Sequence, residues 1–263
     1  MSIDHIIFIA LIQGVTEFLP ISSSGHLIMI PTILGTSDQG MIIDVAVHMG
    51  TLLAVCLYLW RYISRIILGS VRGYRDPDFR LTMQIILASI SVICVGSVVK
   101  YYIDDIIRSP KIVAWATLGF GILLGVVDRF GMTSRRIEHM SYRDALIIGF
   151  AQVLALIPGT SRSGITITVS RALGYERQEA TRFSMLIGIP TILAAGTAIS
   201  LDLYNYNDLQ LTIDACLAGG LSFFAALISI TLMMNWLKCA SFFPFVIYRI
   251  LFGSGWLIWL YKT

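Results

Sequence analysis

The sequence predicts an all-α polytopic membrane protein: six transmembrane helices plus two re-entrant helical hairpins, arranged as inverted-topology repeats. Three observations carry the prediction. Of the 263 residues, 56% are hydrophobic and only 13% charged, against roughly a quarter charged in soluble proteins, and mean hydropathy is +0.79. Apolar runs recur along the whole chain, so residues 1–263 read as a single integral membrane domain rather than an anchor on a soluble one. Two of those runs are broken in the middle by proline, glycine and serine, and each arm is too short to cross comfortably.

The elements follow in order, taking about 20 mostly apolar residues as a span. The first broken region runs from about Ser2 to Leu34, interrupted by Pro20-Ile21-Ser22-Ser23-Ser24-Gly25. Its start carries Asp4 and no Lys or Arg before the apolar run, so it reads as retained rather than as a signal peptide. Spans are expected over roughly 41–60, 82–100 and 111–127. The second broken region, about Ala145 to Leu173, is interrupted by Pro158-Gly159-Thr160-Ser161-Arg162-Ser163-Gly164. Spans over roughly 183–201, 212–236 and 243–261 follow it. Non-helical backbone at membrane depth survives only inside protein or beside a water-filled cavity, so both broken regions read as hairpins that dip in and return.

Charge sets the orientation. The loop after the first span holds Arg61, Arg65, Arg72, Arg75 and Arg80, and positive loops stay cytoplasmic. Arg129, Arg135, Arg136 and Arg143 then fall on the same side, as does Lys238. The loop near 202–214 has Asp202, Asp208 and Asp214 without a Lys or Arg and falls outside. Six crossings put both termini outside, with the first hairpin entering from outside and the second from the cytoplasm. Gln13 precedes Ser22 by the same spacing as Gln152 precedes Ser161. Three spans follow each hairpin, giving pseudo-repeat halves of about 1–130 and 140–263. Inverted repeats of this kind place their site at the midplane, where broken helices meet.

Composition also excludes some functions. A net charge of +3 is too small to suggest nucleic acid. Cys56, Cys94, Cys216 and Cys239 lie singly in apolar segments with no CxxC pair, which sets aside redox and zinc roles.

The chemistry-bearing residues collect at the two breaks. Gln13, Thr16 and Glu17 share one helical face through their spacing of three and four. A carboxylate at membrane depth costs about 3 kcal/mol on insertion scales, so Glu17 should face a polar interior unless it merely reaches water at a shallow hairpin end. Pro20 stops the first arm. Ser22, Ser23 and Ser24 follow, and Gly25 lets the backbone turn before a half-helix beginning near His26. Helix N-termini are ready anion sites. The serines add donors and a candidate nucleophile, and His26 is a candidate nucleophile or general acid–base, although a serine run before a helix is usually capping. The second break, with Thr160, Ser161 and Ser163, repeats the design and adds Arg162, which is well shaped for two-point binding of phosphate oxygens. Two such breaks would converge on one anionic group. A buried Arg162–Glu17 pair holding the halves together is the structural reading of the same residues. Asp44 and His48, one turn apart, are either an internal pair holding His26 or the substrate, or a hydrated helix end.

These segments resemble a known family. The stretch Gln13-Gly14-Val15-Thr16-Glu17-Phe18-Leu19-Pro20-Ile21-Ser22-Ser23-Ser24-Gly25-His26-Leu27 resembles the first signature of the undecaprenyl-diphosphate phosphatases, the bacitracin-resistance (BacA) family. Asp44 through Leu52 resembles the segment after it. Tyr142-Arg143, Ile148-Gly149, Gln152, Ala155-Leu156 and Pro158 through Gly164 resemble the second signature, and Phe243 through Arg249 the final span. The resemblance implies an inner-membrane phosphatase that regenerates the monophosphate lipid carrier for peptidoglycan and other envelope polymers. Its site would open toward the periplasm, and its substrate is a polyprenyl diphosphate. It implies a divalent cation, Mg²⁺ or Ca²⁺, with Glu17 as acidic metal or base residue and Ser23 and His26 as candidates for attack or proton transfer. Arg162 would clamp the diphosphate, with Ser161 and Ser163 beside it. Many members carry an acidic residue where this chain has Gln13; an amide can still offer an oxygen, so the metal is expected to be weakly held. The alternative function is a flippase or transporter of a polyprenyl-phosphate lipid, which broken inverted repeats would also suit. His26 beside Glu17 and the serines favours chemistry, since binding needs only donors and Arg162.

Overall fold

The computed structural model describes residues 2–34, 40–102, 108–202 and 209–262, and every regular element among them is helical. Helices α1 (Ile3–Thr16) and α2 (Ser23–Leu34) are the arms of the first broken region. Then come α3 (Met41–Tyr58), α4 (Trp60–Arg72), α5 (Pro77–Tyr102) and α6 (Pro110–Phe130). The second broken region comprises α7 (Tyr142–Gln152), a 3-10 turn over Val153–Leu156, and α8 (Arg162–Ala172). Three long helices follow: α9 (Arg177–Asp202), α10 (Leu209–Trp236) and α11 (Phe243–Lys262).

Among the described residues, five helical stretches are long and apolar enough to cross a membrane: Met41–Tyr58, Pro77–Val98, Pro110–Phe130, Gln210–Trp236 and Phe243–Lys262. The sixth expected span, 183–201, lies within α9, whose first turns carry Arg177, Glu179 and Arg182. Residues 203–208 of the expected loop 202–214, Asp208 included, lie outside the described residues. Large apolar side chains such as Leu251, Leu232, Phe224 and Ile228 face outward, each more than 60% exposed, as suits a protein whose surrounding solvent is hydrocarbon. The chain is a multi-pass membrane protein whose regular elements, among the described residues, are all helices.

Local chemistry accounts for the element ends. Pro110 opens α6, where its missing N–H would have no helical partner anyway. Ser141 caps α7 reciprocally: its Oγ accepts from the Asp144 N–H at 3.0 Å, and Asp144 accepts from the Ser141 N–H at 3.1 Å. The stretch after the first span, expected as an arginine-bearing loop, is instead the helix α4. It packs on α5 and leaves Ile67, Leu68 and Val71 exposed beside the arginines, the composition of a helix lying along a membrane surface. A search for runs of about 20 apolar residues passes over such a segment.

Packing brings the two broken regions together inside the bundle. Helix α1 packs on α10 as α7 packs on α5, and α3 packs on α10 as α9 packs on α5. Helices α3 and α9 touch one another, as do α6 and α11. The contacts of α1 and α7 both depend on glycine: a Cβ on Gly14 would lie 2.7 Å from the Ser222 carbonyl oxygen, and one on Gly149 2.5 Å from that of Ala88. Such small-residue crossings let backbones meet where lipid supplies no hydrophobic driving force. One end of the bundle is closed by buried charge. Asp128, on α6, accepts from Arg171 at 3.0 Å, Arg177 at 2.8 Å and the Phe242 N–H at 3.1 Å. Beside it, Asp144 accepts from Arg135 at 2.6 Å and from the Tyr175 hydroxyl at 2.8 Å.

Candidate active site

Glu17 caps the C-terminus of α1 one turn past Gln13, so amide and carboxylate meet: Gln13 Nε2 donates to Glu17 Oε2 at 2.9 Å. The same oxygen accepts from Ser23 Oγ at 2.8 Å, because the break turns the chain straight back. The other oxygen faces the second hairpin, where Arg162 Nη2 lies 3.3 Å away. From α3, His48 Nε2 stands 3.9 Å from Glu17 Oε2, and its Nδ1 donates to the Asp44 backbone carbonyl at 2.7 Å. Glu17 is only 8% exposed; a charge so buried is tolerable because it is paired and hydrogen-bonded. Thr16, on the face predicted for Gln13 and Glu17, donates to the Ile12 carbonyl of its own helix.

The two breaks are built alike. Ser22 and Ser161 have φ of 74° and 70°, in the left-handed region that non-glycine residues seldom occupy. Each serine Oγ accepts from the N–H three residues on, that of Gly25 at 3.3 Å and that of Gly164 at 3.1 Å, which caps α2 and α8. Helix α2 therefore opens at Ser23, three residues before the expected start near His26, and α8 opens at Arg162. Ser23 and Arg162 occupy the same place in two matching turns, and both reach Glu17. Ser163 Oγ donates to the Leu19 carbonyl at 2.9 Å, tying one break to the other. Ser24 is exposed, whereas Ser161 and Ser163 are buried with their hydroxyls 3.1 Å apart. The fully buried Thr160 hydroxyl has no protein partner.

Further residues support this cluster without having been singled out as site residues from the sequence. Arg162 Nη1 donates to the Ser184 carbonyl at 3.2 Å, and the guanidinium fills the space above Gly188, where a Cβ would lie 2.2 Å from Nη1. Arg249, from α11, is fully buried. It donates to the Pro20 carbonyl of the first break at 3.3 Å and to Gly159 and Thr160 of the second at 2.9 and 3.0 Å. Arg249 was visible as an arginine within an apolar span, a reason to suspect a buried role; Ser184 and Gly188 leave no such mark. The His26 ring is held by partners other than Glu17. It turns toward α11, with Nε2 2.5 Å from the Tyr248 hydroxyl.

The cluster joins a hydroxyl to a carboxylate, a guanidinium to the same carboxylate, and two helix N-termini to one spot. Chemically it can take a proton from serine and hold an anion. Among the described residues no three His, Cys, Asp or Glu side chains converge as a metal cage. Gln13 Oε1, however, is buried without a hydrogen-bond partner, a hard oxygen one turn from Glu17. That donor set suits a cation bound through one carboxylate and substrate phosphates, as Mg²⁺ often is.

Comparison with known proteins agrees in kind. The model of the family described as bacitracin resistance protein BacA matches residues 6–255. An undecaprenyl-diphosphatase of Roseobacter denitrificans is 45% identical over the whole of both chains. One from Ruegeria pomeroyi is 47% identical over 96% of this chain and 97% of its own, and one from a Jannaschia species is 48% identical over the same shares.

Proposed function

The chain belongs to the bacitracin resistance protein BacA family, and from that premise we propose that it hydrolyses undecaprenyl diphosphate to undecaprenyl phosphate and inorganic phosphate. Relatives so closely similar over their full length bear that activity in their names. The observation that carries the chemistry is the 2.8 Å hydrogen bond from Ser23 Oγ to Glu17, a nucleophile resting on its base. Ser23 Oγ attacks the terminal phosphorus and its proton passes to Glu17. The bond from that phosphorus to the bridging oxygen breaks, and undecaprenyl phosphate leaves with the electron pair. Water then attacks the phosphorus of the phosphoserine, the bond to Ser23 Oγ breaks as Glu17 returns its proton to that oxygen, and inorganic phosphate departs with the water's oxygen and protons.

Arg162 faces the phosphoryl oxygens, where its planar fork stabilises charge as it shifts in the transition state. Ser22, Ser24, Thr160, Ser161 and Ser163, with the first-turn N–H groups of α2 and α8, form the phosphate cradle. His48 borders Glu17 from α3, anchored on the backbone carbonyl of Asp44 one turn before it. Mg²⁺ or Ca²⁺, held weakly by Glu17 and Gln13 Oε1, would supply positive charge against the diphosphate.

The proposed setting is six crossings and two re-entrant hairpins in the bacterial inner membrane, as pseudo-repeat halves of opposite topology within one domain, with the site opening to the periplasm. Its support is the way helix contacts exchange between halves, the matching turns at Ser22 and Ser161, and the arginine-rich loops. The test is phosphate release from undecaprenyl diphosphate by pure protein in detergent, where transport has no meaning. Folded protein that releases none across a range of divalent metals would point instead to a carrier of polyprenyl-phosphate lipid.

A further inference from the structure

His26 is held from three directions. Its Nδ1 lies 2.7 Å from the Ser22 carbonyl oxygen; a carbonyl only accepts, so Nδ1 carries the hydrogen. In the neutral ring Nε2 is then the acceptor, and Tyr248 O–H, 2.5 Å away, donates to it. The ring stacks on Phe252 at 4.4 Å between centroids, with Tyr248 alongside at 5.6 Å. Both aromatic residues come from α11, one turn apart. His26 is 4% exposed, so its two nitrogens are occupied and little of it is open to a substrate.

The far end of this chain of bonds matters most. Ser22 carries the left-handed φ of 74° and directly precedes Ser23, whose hydroxyl rests on Glu17. A non-glycine residue keeps such a conformation only where its surroundings over-determine it. The Ser22 carbonyl is bonded by the His26 ring and its Oγ by the Gly25 N–H.

We propose that Tyr248 is a positioning residue for the reaction: by donating to His26 Nε2 it holds the imidazole on the Ser22 carbonyl, and so keeps Ser23 aimed at Glu17. This rests on the phosphatase reading, in which Ser23 attacks. On this account His26 transmits position rather than protons.

The test combines a substrate-free measurement with kinetics on the full-length protein in detergent. With ¹⁵N-labelled histidine, the signal missing from His26→Asn identifies His26. In the wild type it should report the Nδ1–H tautomer with a hydrogen-bonded Nε2, and in Tyr248→Phe the Nε2 hydrogen bond should be lost. Tyr248→Phe should lower kcat at least tenfold and leave KM within about twofold. Added to His26→Asn, it should cost nothing more. An Nε2–H tautomer in the wild type, a kcat within twofold in Tyr248→Phe, or losses that multiply in the double variant would each overturn the proposal. A wild type that releases no phosphate at all would overturn the phosphatase reading instead, and the tautomer would still decide whether Tyr248 holds His26.

Discussion

Glu17 accepts from Gln13, Ser23 and Arg162 at once, so each substitution around it removes something different. Glu17→Gln keeps the shape and loses the base, and Arg162→Ala loses the fork. Each should cut phosphate release by about 10²- to 10³-fold, the usual cost of losing one preorganised transition-state contact, with membrane expression unchanged. Arg162→Lys should also be poor, because an ammonium cannot reproduce two parallel bonds; near-normal turnover would mean the site needs only a positive charge. Ser23→Ala separates mechanisms: loss to background supports serine attack, and a modest loss returns the role to His26 or water. Gln13 offers a different experiment. Its unpartnered Oε1 makes Gln13→Glu a gain of one charged ligand, which should tighten apparent metal affinity in an activity titration. Full activity of wild type and variant after exhaustive chelation would remove the metal from the mechanism. Much of this neighbourhood was legible in the sequence, because a spacing of four puts Gln13 against Glu17 on any helix. What was not legible is that His26 meets α11 and Ser23 meets Glu17, because which distant element packs beside each residue of the first turn of α2 is settled by tertiary packing, not by local spacing.

At the scale of elements, the hairpins are set by their ends. The cap of α7 rests on Asp144, in the first turn of that helix at the end facing the arginine-bearing connection, whose carboxyl has a depressed pKa. Burial alone would raise it, but the Arg135 guanidinium, the Tyr175 hydroxyl and Ser141 outweigh that and hold the carboxyl below its ordinary value. A depressed carboxylate stabilises the fold above its unfolded pKa and loses that contribution as pH falls through the folded one. Stability of the wild type should therefore decline from about pH 4 downward. Asp144→Asn should be less stable at neutral pH and lack that part of the decline, measured by thermal unfolding in detergent from pH 3 to 7. An unchanged acid profile would show that Asp144 does not carry it. Five of the six expected spans were readable from apolar runs of the right length. Helix α4 was not, since its arginines interrupt the run while its period remains helical.

Across the whole molecule, the contacts of α1 and α3 with α10 are matched by those of α7 and α9 with α5. If this reflects halves of opposite orientation, single cysteines on a cysteine-free background have a definite pattern. Positions 61–80 and 128–144 should resist a membrane-impermeant reagent applied from the periplasm, while both termini and residues 202–214 should react. Periplasmic labelling near residue 70 would refute the arrangement. The pairing of the two hairpins was foreshadowed by the equal spacing of Gln13 to Ser22 and Gln152 to Ser161. The arginine that grips both was not, because nothing in a single span says which distant carbonyls it will meet.

That grip by Arg249 also dictates a timetable. The Pro20 carbonyl finds its guanidinium partner 229 residues later in the chain, yet a ribosome delivers the first hairpin long before the last helix exists. Until α11 emerges, the nascent protein must keep the bare carbonyls of both breaks away from lipid, where an unmet backbone group is severely penalised. The first segment made is thus among the last to be completed, and a ribosome that stalls before residue 249 leaves behind a chain in which contacts such as Ser163–Leu19 and Arg162–Glu17 must hold the two breaks together without Arg249.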